Sequence, residues 1–144
     1  MRILIFFFLC STVFAQGENA PLTRIDTLGG NDFASDIRYA TTNNFLKEAF
    51  YDCASCYLRP EVARALTLAN DWFCEKGYKI LLYDCYRPVS AQKKMWKAFP
   101  NPQYMANPYT SGSVHNRGAA VDISLVKLDG TPVDMGTDHD RKIG

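Results

Sequence analysis

His115 and Asp122 lie seven residues apart with Gly118 between them, in the stretch Ser113-Val114-His115-Asn116-Arg117-Gly118-Ala119-Ala120-Val121-Asp122. They are the residues of this sequence whose types and spacing best suit chemistry. His115 is one of only two histidines in the chain. The small-residue and apolar run Ala119 to Val126 surrounds the acid and reads as a buried strand. A carboxylate in such a strand needs compensation, because an unpaired buried charge is costly. A cation shared with His115 is one compensation, and an imidazole nitrogen beside a carboxylate oxygen suits Zn²⁺. Gly118 lets the backbone turn between the loop bearing His115 and the strand bearing Asp122. A plainer arrangement uses the same residues: Asp122 held by backbone N–H groups or Arg117, with His115 at the surface.

A second group follows another apolar run. Tyr78-Lys79-Ile80-Leu81-Leu82-Tyr83 reads as a buried strand that delivers Asp84-Cys85-Tyr86-Arg87-Pro88 to its end. Taken as residues alone, Arg87 favours a structural ion pair with Asp84 or another acid. Its guanidinium also offers fixed donors to a developing oxyanion.

The elements that must position these groups are legible from spacing. Pro60 opens a helix to about Lys76, with Val62, Ala65, Leu66, Ala69, Trp72 and Phe73 on its apolar face. The aromatic pair Trp72 and Phe73 is expected in the core. Gly77 suits the position just past the helix end. A second helix is predicted over Val89 to Ala98. Phe99 to Gly112, with three prolines, is a long loop of the kind that borders binding sites. Asp129-Gly130 supplies hairpin turn chemistry before Thr131-Pro132-Val133. Gln16 to Asp36 is polar and reads as an arm or loop, and Ile37 to Ala40 as a short strand. The whole predicts an α+β fold: a small, mainly antiparallel sheet with helices packed on one face.

Length and composition bound the rest. The 144 residues, 22% of them charged, make one domain of ordinary soluble composition. Met1 to Ala15 carries Arg2, the apolar run Ile3 to Phe8 continuing through Leu9, and Val13-Phe14-Ala15 before Gln16. That is the pattern of a secretory signal peptide, leaving a domain over 16–144 that is exported, periplasmic or secreted. The run is too short for a membrane span, so no membrane anchor is expected after cleavage. Cys10 follows bulky Leu9, which argues against lipidation. Cleavage would remove Arg2 and no acid, leaving 15 basic against 15 acidic residues. That balance gives no electrostatic case for binding nucleic acid. Four cysteines would remain, Cys53, Cys56, Cys74 and Cys85, for which disulfides, buried thiols and a structural metal site all stay open.

The pattern Ser-x-His-x-x-Gly-x-Ala-x-Asp, met here by Ser113, His115, Gly118, Ala120 and Asp122, resembles the metal-binding signature of the D-alanyl-D-alanine dipeptidases, a family of LAS-type zinc peptidases. Asp84-Cys85-Tyr86-Arg87-Pro88 with Gln92 resembles the family's segment bearing a transition-state-stabilising arginine. Asp134-Met135-Gly136-Thr137 resembles the segment after the metal strand, and Tyr39 to Phe45 extends the likeness towards the N-terminus. The resemblance implies one Zn²⁺ per chain held by His115 and Asp122, Arg87 as transition-state stabiliser and Ser113 as a substrate contact. It implies a small dipeptide substrate, D-alanyl-D-alanine, hydrolysed to two D-alanines.

One part of the family pattern is missing. The family draws its third metal ligand and its general base from a Glu-x-x-His segment downstream of Asp-Met-Gly, and this sequence contains none. The dipeptidase domain is therefore expected to be incomplete at its C-terminus, with the third ligand absent or supplied by His139. His139 stands where the family usually has phenylalanine, and it is expected to be a solvated residue near a chain end. Asp138 or Asp140 would then be candidate bases. Two ligands alone should hold zinc weakly and hydrolyse slowly. A LAS-type peptidoglycan D,D-carboxypeptidase or endopeptidase, and a catalytically inactive binding remnant, are the alternatives.

Overall fold

In the computed structural model, which describes residues 21–25 and 33–139, the regular elements are β1 (Thr23–Arg24), β2 (Ala34–Ser35), β3 (Tyr57–Leu58), α1 (Pro60–Cys74), β4 (Tyr78–Asp84), α2 (Val89–Ala98) and β5 (Asp122–Lys127). Single 3-10 turns cover Arg38–Ala40 and Val114–Arg117. The expected signal peptide and Asp140 lie outside the described residues. No described helix is long and apolar enough to cross a membrane.

The class is α+β, as the sequence predicts. β4 is the middle of a three-stranded sheet, parallel to β2 and antiparallel to β5. β1 and β3 pair antiparallel as a separate two-stranded sheet. The polar arm therefore contains two strands that its sequence does not reveal. Two residues are too few to show a period of two. The strand expected at Ile37 to Ala40 is instead a 3-10 turn, closed by Ala40 N–H to the Ile37 carbonyl and Thr41 N–H to the Arg38 carbonyl, each 3.1 Å. Tyr39, buried on that turn, packs towards Phe50, Ala91, Met95 and Met105.

The first core joins α1 to the sheet through Ala63, Leu66, Ile80 and Leu82, with Ile25, Ile37 and Leu58 around them. Burying a side chain such as Ile80 or Leu82 contributes roughly 1.5–3 kcal/mol. The apolar stripe of α1 is rotated from the expected one: Ala63 and Asn70 are buried, whereas Ala65 and Trp72 face outward. At 100° per residue, Val62, Ala63, Leu66, Ala69, Asn70 and Phe73 share one face, and Trp72 falls outside it. Asn70 belongs to that face because its Oδ1 accepts the Ile80 N–H at 2.8 Å, pinning α1 to β4. Trp72 instead lies edge-on to Phe73 with the Lys76 ammonium over its ring. α2 spans the predicted residues and buries Ala91, Gln92 and Met95 in the second core cluster and its surroundings.

Two features of the sheet place Asp122 and the chain beyond it. β5 begins at Asp122, three residues later than the apolar run suggests, because β4 offers no ladder partner beyond Asp84. After β5 the chain reverses at Asp129-Gly130, as its turn chemistry predicts. Lys127 N–H reaches the Thr131 carbonyl, and Val126 faces Pro132 in an antiparallel bridge. The return arm thus runs back towards the Asp122 end of β5.

Candidate metal centre

Asp84 and Asp122 face each other at the last rung of the β4–β5 ladder, after a register irregularity between Leu82 and Asp84. The fully buried acid is Asp84, whereas Asp122, expected to be the buried one, is 36% exposed at its side chain. Asp84 is fully engaged. Its Oδ1 accepts from Tyr51 Oη–H at 2.7 Å and from Cys85 N–H at 2.9 Å. Its Oδ2 accepts from Arg87 Nε at 3.1 Å and from Arg87 Nη2. Burial alone would lower the Arg87 pKa, but the Asp84 charge outweighs it and holds the guanidinium above its ordinary value. Burial, reinforced by Asp84, pushes the Tyr51 phenol well above the usual range, so it acts here as a neutral donor.

This is the ion pair that the residues alone favour, and it also aims the arginine. Arg87 Nη1 donates to Gln92 Oε1 at 2.9 Å, and Gln92 Nε2 donates to the Ala106 carbonyl of the long loop at 2.7 Å. The guanidinium lies over the Tyr39 ring, 5.0 Å from its centroid. Of five N–H groups, one remains on each terminal nitrogen after these bonds.

His115 is fixed from both sides. It sits in the 3-10 turn capped by Ser113, whose Oγ accepts the His115 N–H at 3.2 Å. Asn116 completes the capping box and donates from Nδ2 to the Arg87 carbonyl at 2.8 Å. Arg87 N–H in turn donates to the His115 carbonyl at 3.0 Å, so the two loops are stitched together. The His115 Nδ1 lies 2.8 Å from the Cys85 carbonyl. A carbonyl only accepts, so Nδ1 carries the proton and the Nε2 lone pair is left for a ligand. Nε2 points at Asp122 Oδ1, 3.5 Å away. An outer N–H···O=C bond that fixes the tautomer and ring direction is the usual support of a metal-ligating histidine.

The electrostatics agree. Burial works to lower the His115 pKa, yet the hydrogen bond to Asp122 and the charge of Asp84 raise it overall. Burial works to raise Asp122, yet the neighbouring imidazoles of His115 and His139 hold it well below the usual carboxylate range. Positive charge between these side chains is favoured, whether proton or cation.

Among the described residues, Asp84, His115 and Asp122 bring ligand atoms within 4.8 Å of one another. Donor chemistry separates them. Asp84 already accepts four hydrogen bonds and approaches the protonated Nδ1 side of His115, 3.6 Å away. His115 Nε2 and Asp122 carry the open lone pairs. Tetrahedral zinc with bonds near 2.0–2.1 Å spaces its ligand atoms by roughly 3.3 Å. The observed 3.5 Å fits that spacing.

The backbone of this site depends on Gly118, which caps the His115 turn at φ +63°. A Cβ there would come within 2.5 Å of Leu22 Cδ2 and 3.3 Å of the Arg59 backbone nitrogen. Leu22 can move aside, but Arg59 N–H donates to the Gly118 carbonyl at 2.9 Å and holds its place. Gly118→Ala is therefore expected to destabilise the fold by about 1–3 kcal/mol. Urea titration checks this, and unchanged stability would show that the turn has another accessible shape.

The fold brings Arg87, Ser113, His115 and Asp122 into one neighbourhood. It also brings in His139, against the expectation of a solvated residue near a chain end. The return arm leads back along β5, and the His139 side chain is 11% exposed, its ring against those of Tyr83 and Tyr39 at 4.7 and 6.4 Å. Tyr51 and Asn116 are site residues that the sequence did not single out. Nothing local marks Tyr51, whose partner Asp84 is 33 residues away. Asn116, three residues after Ser113, closes a capping box in the structure, but the sequence signature of that box has Glu or Gln at this place. Cys56 and Cys85 form a disulfide, which settles the open cysteine alternatives, while Cys53 and Cys74 remain thiols.

A peptidase M15 family model, described as D-ala-D-ala dipeptidase, matches residues 20–142. A D-alanyl-D-alanine dipeptidase of Escherichia coli (strain K12) is 36% identical over 110 residues, covering 76% of this chain and 56% of the relative. Those of Enterococcus faecium and Enterococcus faecalis are 31% and 32% identical over 125 residues, covering 73% of this chain and 62% of each relative. The chain thus spans less than two thirds of the length of these relatives.

Proposed function

Because this chain belongs to the D-alanyl-D-alanine dipeptidase family, we propose that it serves the zinc-dependent hydrolysis of D-alanyl-D-alanine to two D-alanines, a reaction of cell-wall precursors. The observation that carries this reading is the His115 imidazole, locked by the Cys85 carbonyl with its Nε2 lone pair turned to Asp122. His115 and Asp122 would hold the zinc. When bound, zinc supplies a Lewis acid that activates water and polarises the peptide carbonyl.

The chain's own residues have these roles. Arg87 donates its remaining N–H groups to the carbonyl oxygen as negative charge grows there, a preorganised contact stronger in the transition state than in the substrate. Asp84, Tyr51 and Gln92 keep the guanidinium from reorienting. Ser113 fixes His115 through its acceptor lone pair, which leaves its O–H to donate to the substrate. Export belongs to the same reading. It is supported by the signal-like Met1 to Ala15 and by a disulfide suited to an oxidising compartment.

The test is D-alanine release from D-alanyl-D-alanine by the zinc-loaded chain. The expected result is turnover of the dipeptide. It should be abolished by chelation, restored by zinc, and absent with L-alanyl-L-alanine. Release of terminal D-alanine from a peptidoglycan pentapeptide would favour a carboxypeptidase instead. Saturable binding of the dipeptide with no cleavage at any zinc concentration would indicate a binding remnant.

A further inference from the structure

We propose that the outer face of α2, with the loop beside it, is a binding surface for an acidic glycan, a sugar chain carrying carboxylates along its length. The chain as a whole is nearly balanced, with 16 basic and 15 acidic residues, but the charge is unevenly placed. Between Asp84 and Asp122 the charged residues are Arg87, Lys93, Lys94, Lys97 and Arg117, with no acid among them. Arg87 is committed to Asp84, whereas among the described residues no ion pair engages Lys93, Lys94 or Lys97. All three lysines are exposed. With Trp96, Pro100 and Tyr109 they line a surface hollow of about 490 Å³, within the size range of ligand pockets.

The fold builds this hollow from two elements. Gln92 turns inward and donates to the Ala106 carbonyl at 2.7 Å, which draws the loop of residues 99–112 against α2. Asn107 then shapes the loop, its Oδ1 accepting the Tyr109 N–H at 2.9 Å and its carbonyl the Gly112 N–H at 3.2 Å. Tyr109 is left 69% exposed, with the Lys93 ammonium 5.6 Å from its ring centroid. Phe99 packs edge-on to Phe45 and Tyr104, fixing the chain that leads into Pro100. Lys93 and Lys97 stand about one turn apart on α2, so positive charge repeats along the helix.

The lining residues select the occupant. Ammonium groups are point charges suited to single charges spaced along a chain, and no arginine lines the hollow to grip phosphate bidentately. The negative ring faces of Trp96 and Tyr109 suit the polarised C–H groups of a pyranose. An anionic bilayer would need protruding apolar side chains to insert, and Trp96 is half-buried in the wall of a hollow. A bound glycan would border the loop leading to Ser113 and His115 without occupying the candidate metal centre.

Fluorescence anisotropy of a labelled oligogalacturonate, titrated with the 144-residue chain, tests the assignment. The expected result is saturable binding that weakens about sixteenfold between roughly 50 and 200 mM salt, as three ammonium contacts to a single-stranded polyanion imply. Neutral dextran should not bind. Lys93→Gln/Lys94→Gln/Lys97→Gln should lower the affinity about tenfold or more and flatten the salt dependence. Its Tm should stay that of the unaltered chain, because these side chains are exposed. Tyr109→Ala should weaken binding while keeping the salt dependence, a separation that charge alone would not give. No saturable binding, or equal binding by the triple lysine variant, would overturn the proposal. Tighter binding of oligothymidylate would overturn it in favour of single-stranded nucleic acid. Tighter binding to phosphatidylcholine–phosphatidylglycerol vesicles would overturn it in favour of a membrane surface.

Discussion

Arg87→Ala is expected to destabilise the protein by about 3–5 kcal/mol, the usual consequence of removing one partner from a buried ion pair. The magnitude comes from the groups left behind. Asp84 is fully buried and would keep its charge with only Tyr51 and the Cys85 N–H to satisfy it. Gln92, also fully buried, would lose the donor at its Oε1. Arg87→Lys is expected to be milder in stability, because an ammonium retains the charge. It should still reduce turnover by about 10²–10³-fold, since a point charge cannot hold Asp84 and Gln92 and also reach an oxyanion.

The double variant Asp84→Asn/Arg87→Gln decides whether the pair itself is responsible. With both charges gone, the loss should fall short of the summed single-variant losses by about 2 kcal/mol, within the range found for contacting residues. Denaturant unfolding followed by circular dichroism measures this. Additive losses would mean that Arg87 matters through its packing on Tyr39 and not through Asp84.

What the sequence conceals at this site has identifiable causes. His115 and Asp122 were legible because histidine is scarce and an acid in an apolar run is conspicuous. Which acid is the buried one was not. Asp84 ends one apolar strand and Asp122 begins another, and their fates differ because Tyr51 and Arg87 surround the former while the latter opens towards two imidazoles. The helices were found by period and punctuation, yet the α1 face was turned because Asn70 counts as polar until Ile80 is seen to need its oxygen. His139 shows the longest chain of dependence. The turn at Asp129-Gly130 was readable, and the register after it follows in principle. Its final position needs Tyr39 and Tyr83, 100 and 56 residues earlier in the chain. Side chains that meet across such separations leave no local spacing to read.

Removing the Cys56–Cys85 disulfide is expected to cost about 3.5 kcal/mol, because it closes a loop of sequence separation 29 and so restricts the unfolded chain. For a chain of this size that corresponds to a fall in Tm of roughly 10–15 °C. Cys53→Ser, at an exposed thiol, should change stability by no more than about 0.5 kcal/mol and is the control. The bridge also reaches the candidate metal centre. Cys85 gives its carbonyl to His115 Nδ1 and its N–H to Asp84 Oδ1, so the backbone that fixes both groups is tied to Cys56. Reduction should therefore weaken zinc retention at temperatures where the protein is still folded, and Cys56→Ser/Cys85→Ser should reproduce the effect without reductant. Calorimetry and zinc titration on the same samples separate the two consequences. A lowered Tm with unchanged zinc affinity would show that the ladder between β4 and β5, not the disulfide, sets the position of the Cys85 carbonyl.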